Sequence, residues 1–200
     1  MKIKELPKKY NKIWEKTLPI LRKGRPGDDV HSREAVQLVL NYKGNVEFDP
    51  DVVIPVAMMH DIGHVAILSE HFKYVTGPEK ITNAKLVHML AGAKIAKDIL
   101  DSVGYDKKKT AEIVDIIRMH DYDQLKGVDW RKEYDTVNKK FFHDIDALDR
   151  YTEERINNMS FVYKDRKVLL DLLEKMIGNL FYDEFRKIAE GGMKKLKEGK

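Results

Sequence analysis

An all-α fold, a single bundle of six to eight helices, follows from two observations on this chain. Apolar residues recur at helical spacing along nearly all 200 residues, and no segment alternates apolar and polar residues with the period of two that marks a half-buried strand. The composition agrees, because 42% hydrophobic and 35% charged residues supply both a core and a solvated surface for one domain over residues 1–200.

The first stripe is His31, Ala35, Leu38, Val39 and Tyr42, which share one helix face. Asp28 or Asp29 can cap its start and Gly44 can end it. A second helix runs from about Asp51 to Ile62, with the apolar run Val52 to Met59 leading into His60 and Asp61. Gly63 then permits the backbone to turn, so that two adjacent side chains can share one target. Asn83 to Leu100 reads as a third helix, with Leu86, Leu90, Ala93, Ile95 and Ala96 inward and Gly104 beyond its end. Ala111 to His120 continues the pattern through Ile113, Val114, Ile116 and Ile117, and a polar loop follows from Asp121 to about Tyr134. Asp135 or Thr136 caps a helix carrying Phe141, Phe142, Ile145 and Leu148. The last helix is expected to run unbroken from about Asp165 to Glu190, with a stripe that includes Val168, Leu169, Leu173, Met176, Leu180, Phe185 and Ile188. Its Met and Phe members are read as core or interface packing, and a homodimer is one use for them.

Composition also removes whole classes of function. The chain has no cysteine, so disulfides and thiolate metal sites are excluded and any metal must use N and O ligands. Its net charge of +4 suits anionic substrates without demanding a nucleic acid. No run approaches the roughly 20 apolar residues of a spanning helix. The first residues carry no apolar signal core, which sets the expectation of a cytoplasmic protein with no membrane partner.

Five of the seven histidines, His31, His60, His64, His88 and His120, stand at separate helix-associated positions, and Asp61 and Asp146 join them. Each has a plain alternative when taken alone. His31 can be a hydrogen-bonded core residue, His60 and Asp61 a helix-end ion pair, and His120 a cap on helix carbonyls. Asp146 lies in an otherwise apolar helix, where a carboxylate must be paired, coordinated or exposed. Taken together, N and O ligands arriving from several helices are how a bundle builds a metal site. His71 and His143 are read as surface or packing residues.

This order of motifs resembles the HD-domain superfamily of metal-dependent phosphohydrolases over roughly Val30 to Arg150. The segments that carry it are Asp29-Val30-His31, Met59-His60-Asp61-Ile62-Gly63-His64, His88 to Ala93, Ile117 to His120, and Asp144 to Asp149. The resemblance implies that His31, His60, Asp61 and Asp146 hold one divalent metal. Asp61 would bridge to a second held by His88 and His120, as in the binuclear branch, although one or two ions both remain open. Mn, Fe, Ni, Co or Zn suit the sulfur-free ligands, with Mg possible. His64 resembles a phosphate contact or proton donor beside Asp61. Arg150, Lys85, Arg33 and Arg118 are the candidates to bind a phosphorylated substrate, most simply a nucleotide. Asp149 could support Asp146 or replace it. Ala147 stands where some branches carry an arginine, which counts against a (p)ppGpp hydrolase. A diiron oxygenase and a non-catalytic nucleotide-binding module are the alternative functions. The substrate wall is placed in the loops around Gly24–Asp29, Ser69–Lys80 and Asp121–Tyr134, where Tyr74, Tyr122 or Trp130 could stack on a base.

Overall fold

The computed structural model describes residues 6–67, 80–125, 127–159 and 165–198. Among these the chain forms α-helices and short 3₁₀ turns, with no strand. The helices are α1 (Asn11–Leu21), α2 (Asp28–Asn41), α3 (Pro50–Met59), α4 (Lys80–Ser102), α5 (Lys107–Met119), α6 (Trp130–Glu133), α7 (Val137–Leu148), α8 (Glu153–Met159), α9 (Arg166–Ile177) and α10 (Asp183–Glu198). The all-α bundle expected from the periodicity is therefore the fold.

Helix α3 is its axis. Every residue from Val52 to Met59 is buried, so this helix is apolar all round rather than amphipathic. Asp49 caps it through the Asp51 N–H and Pro50 occupies the first turn, where a missing N–H costs nothing. Helices α2, α5 and α7 pack around α3, and α4 packs on α5 and on the 3₁₀ turn Ile62–Ala66. Polar clasps secure the start of α3: Tyr10 donates to Asp51 at 2.6 Å, and Lys109 reaches Asp51 at 2.9 Å.

Several boundaries fall where the sequence puts them. Thr136 caps α7 by accepting from the Lys139 N–H, and Gly104 takes φ +67° just beyond α4.

Other features differ, each for a physical reason. Helix α1 has no counterpart among the expected elements, and it buries Ile13, Thr17 and Leu21 despite carrying Pro19. Asp28 is not a cap: Gly27, at φ 94°, precedes the helix, and the Asp28 side chain turns back to Arg25. On α4 the buried face holds His88, Met89, Ala93 and Ala96, so Leu90 is left 58% exposed. The expected last helix is broken into α9 and α10. The buried carboxylate of Asp144 explains the corner, since it accepts the backbone N–H groups of Phe181 and Tyr182 at 2.9 Å. Val168 and Ile188, expected inward, are exposed.

Candidate metal centre

The C-terminus of α3 delivers His60 and Asp61 into the middle of the bundle, the first turn of α2 delivers His31, and α7 delivers Asp146. All four are buried. His60 donates its Nδ1–H to the Ala57 carbonyl at 3.3 Å, which leaves Nε2 a bare lone pair. That Nε2 lies 3.0 Å from His31 Nε2 and 3.3 Å from Asp146 Oδ1. His31 Nε2 in turn lies 3.0 Å from Asp146 Oδ1, while its Nδ1 faces Asp149 at 2.9 Å. The inward nitrogens of both rings and a carboxylate oxygen thus converge on one point, which a divalent cation or a proton on His31 can hold together.

A second pair repeats the arrangement. His120, at the end of α5, donates Nδ1–H to the Ile117 carbonyl at 2.8 Å, and its Nε2 stands 3.2 Å from His88 Nε2 on α4. Asp61 lies between the two pairs. Its Oδ2 is 3.8 and 3.6 Å from His31 and His60, and its Oδ1 is 3.9 and 3.8 Å from His88 and His120. Each pair with Asp61 has its ligand atoms close enough to share one ion, which fits the group to divalent metal.

Glycine makes this proximity possible, though not in the expected way. Gly63 has an ordinary negative φ and sits inside the Ile62–Ala66 turn, so no left-handed backbone is involved. A Cβ on Gly63 would overlap the His88 carbonyl oxygen and lie 2.5 Å from Gly92 N. The residue is small because two backbones touch there, and the small residues around Gly92 serve that close approach.

The charges follow the geometry. Burial disfavours the charged imidazole of His31, but the carboxylates of Asp146 and Asp149 outweigh it and push the ring up to about 10. Burial, reinforced by the neighbouring His120 and His64, pushes His88 down to about 3. Burial opposes the ionised form of Asp61, yet His60, His64 and Arg25 hold it well below the usual carboxylate range. Asp146 is held low against its burial by His31 and His60.

The structure gathers His31, His60, Asp61, His88, His120 and Asp146 at one point. Asp149 contacts the far nitrogen of His31, behind the cluster. His64 stacks on His88 with ring centroids 4.3 Å apart, and its Nδ1 lies 3.1 Å from Asp28 and 3.5 Å from Asp61. Arg150 reaches Asp146 at 3.4 Å, and Lys85 reaches Asp121 at 3.0 Å beside His88. The other two basic candidates fall elsewhere. Arg33 lies 3.7 Å from Asp29 and over Trp14, and the exposed Arg118 pairs with Asp115 one turn back. His143 takes the packing role of its two readings: it is buried, bonded to Asp144 at 2.9 Å and stacked on Trp130, which is thereby engaged in packing. His71 and Tyr74 lie outside the described residues.

Two participants went unread. Arg25 donates to Asp61 at 2.8 Å and to Asp28 at 2.7 Å. Asp121 lies 3.6 Å from His88 and pairs with Lys85. The signal for Asp121 was present, because Met119-His120-Asp121 repeats Met59-His60-Asp61. Arg25 offered only one of three closely spaced basic residues, Arg22, Lys23 and Arg25, at a Gly- and Pro-containing loop just ahead of His31, the loop expected to form a substrate wall.

The HD domain family model matches residues 29–151, a span that holds all six gathered ligands. The chain belongs to the HD-domain family. No curated protein and no solved structure matches it. The HD domain marks a superfamily of metal-dependent phosphohydrolases, and the His/Asp groups fit divalent metal. No helix among the described residues is long and apolar enough to cross a membrane.

Proposed function

We propose that this HD-domain protein is a metal-dependent hydrolase of phosphate esters, acting on a nucleotide or a related phosphomonoester or diester. The observation that carries the reading is Asp61, whose two oxygens each face a different imidazole pair. His31, His60, Asp61 and Asp146 would hold one ion, and His88, His120 and Asp61 a second. Bound there, divalent metal supplies a water of lowered pKa and draws charge from the phosphoryl oxygens. The chain's own groups do the rest. Asp149 and the Ala57 and Ile117 carbonyls fix the rings whose Nε2 atoms face inward. Arg25, Lys85 and Arg150 surround the ligand set with fixed positive charge that suits an anionic substrate. His64, held between Asp28, Asp61 and His88, is placed to contact phosphate or give a proton to the departing oxygen. The reading sets the protein in the cytoplasm with a small phosphorylated substrate.

The test is to strip the protein of metal, add back Mn, Co, Ni, Fe, Zn or Mg, and screen nucleotides, phosphomonoesters and phosphodiesters while counting bound ions. Metal-dependent turnover that Asp61→Ala abolishes in a folded protein supports the reading. No turnover with any ion, or an Asp61→Ala chain that simply unfolds, overturns it in favour of a structural metal.

A further inference from the structure

Lys85, Asp121 and Gln124 close a ring of hydrogen bonds beside the second imidazole pair. Lys85 Nζ donates to Asp121 Oδ2 at 3.0 Å and to Gln124 Oε1 at 2.6 Å, and the Gln124 amide donates to Asp121 Oδ1. Local structure sets up the ring. Gln124 ends the 3₁₀ turn Tyr122–Gln124, and its backbone N–H donates to the Asp121 carbonyl at 3.0 Å. Side chains three residues apart eclipse in such a turn, so Gln124 stands over Asp121. Helix α4 supplies Lys85 one turn ahead of His88.

The amide is suited to both partners at once. Its oxygen faces the ammonium and its NH₂ the carboxylate, because the reverse would set donor on donor and acceptor on acceptor. Two other lysines of this chain are held differently. Lys109 meets the carboxylates of Asp49 and Asp51, and Lys139 those of Asp115 and Asp135. Among the described residues Lys85 meets one carboxylate, and its second acceptor is neutral. A neutral acceptor fixes the ammonium without adding negative charge around it. The ammonium has three N–H groups, of which Asp121 and Gln124 take two. No acceptor among the described residues takes the third, and the Lys85 side chain stays 24% exposed. Asp121 Oδ2 also lies 3.6 Å from His88 Nε2, so one carboxylate oxygen separates this ammonium from a nitrogen of the metal centre.

We infer that Gln124 is a positioning residue for phosphate binding: through its ring with Asp121 it fixes Lys85 so that the remaining N–H of the ammonium meets a phosphoryl oxygen at the His88 side of the centre. The assignment rests on the phosphate-ester reading above and adds to it a residue that touches neither metal nor substrate. Its physical role is to order a long, many-rotamer side chain before the substrate arrives, which removes that cost from binding.

The test is calorimetric titration of inorganic phosphate into the full-length, metal-loaded protein, beside KM and kcat for the phosphate ester found in the screen above and a count of bound ions. Gln124→Met is expected to weaken phosphate binding about tenfold, with the loss in KM rather than kcat and the metal retained. Lys85→Met should weaken it at least as much, and the double variant no further than Lys85→Met alone, because Gln124 acts through Lys85. Gln124→Glu separates this role from a structural clasp. Pairs of carboxylates hold Lys109 and Lys139, so glutamate should keep the urea midpoint near that of wild type and yet weaken phosphate binding by about tenfold or more. Full phosphate affinity in either Gln124 variant, or additive losses in the double variant, overturns the assignment, while hydrolysis by wild type leaves the phosphate-ester reading standing. Unfolding or loss of metal in both Gln124 variants shows a structural clasp and overturns it too. A metal-loaded wild type that neither binds phosphate nor hydrolyses any ester overturns both.

Discussion

Met59-His60-Asp61 and Met119-His120-Asp121 are the same local structure used twice. Each ends an α-helix, each histidine donates Nδ1–H to the carbonyl three residues back, and a 3₁₀ turn follows each. They part company at the aspartate. Asp61 meets the imidazoles of His31, His60, His64, His88 and His120 together with Arg25, whereas Asp121 meets Lys85, Gln124, Arg150 and one imidazole, His88. A carboxylate at the end of such a turn takes its role from the helices opposite it. Facing α2 and α4 it stands between two imidazole pairs, and facing lysine and arginine it pairs with cations.

The comparison breaks most easily at the residues after the turns. Gly63→Ala should destabilise the protein by about 3 kcal/mol or more, because the added methyl meets backbone that cannot yield. Asp123→Ala, the sequence counterpart in the second turn, should leave more stability in the same urea titration. Next, Asp61→Asn should cut metal-dependent phosphate hydrolysis by at least about 10³-fold and empty the centre. Asp121→Asn should lower it by only about 10–100-fold with metal retained, as measured by elemental analysis beside steady-state kinetics. Equal losses from both would mean that the two turns share one role.

Acidity separates the clusters in the metal-free protein. His31 has its folded value raised from 6.5 to about 10, so its contribution is full below 6.5 and is lost as pH rises toward 10. His88 has its folded value lowered from 6.5 to about 3, so its contribution is full above 6.5 and is lost as pH falls toward 3. Chelated protein should therefore unfold most reluctantly near neutrality, in denaturant titrations across that range. Replacing His31 by glutamine should flatten the alkaline limb, and replacing His88 the acid limb. The smallest effect is expected from Arg33→Ala and Arg118→Ala, which should each change KM by less than about twofold, since each charge lies at a pair of its own away from the ligands.

Much of this was legible along the chain. The helices carrying His31, His60, His88, His120 and Asp146 declared themselves through apolar spacing, because a buried stripe is a direct record of what faces the core. What the spacing hides is contact between distant segments. Nothing local marks Arg25 as the partner of Asp61, since 36 residues and two helices separate them. The break between α9 and α10 was hidden for the same reason. Its cause is Asp144, 37 residues upstream, and the apolar rhythm carries across the corner almost unchanged. Arg33 and Arg118 show the converse, for proximity in sequence to a ligand says little about which face of the helix a long side chain takes.

The meeting of Gly63 with Gly92 and the His88 carbonyl also acts as a mechanical stop. Main chain rests on main chain at the junction between the two imidazole pairs, so their separation has no side chain to compress or swing aside. Substitutions in the surrounding core can loosen the bundle without altering that span. The spacing of the two imidazole pairs is thereby set by main-chain contact rather than by side-chain packing.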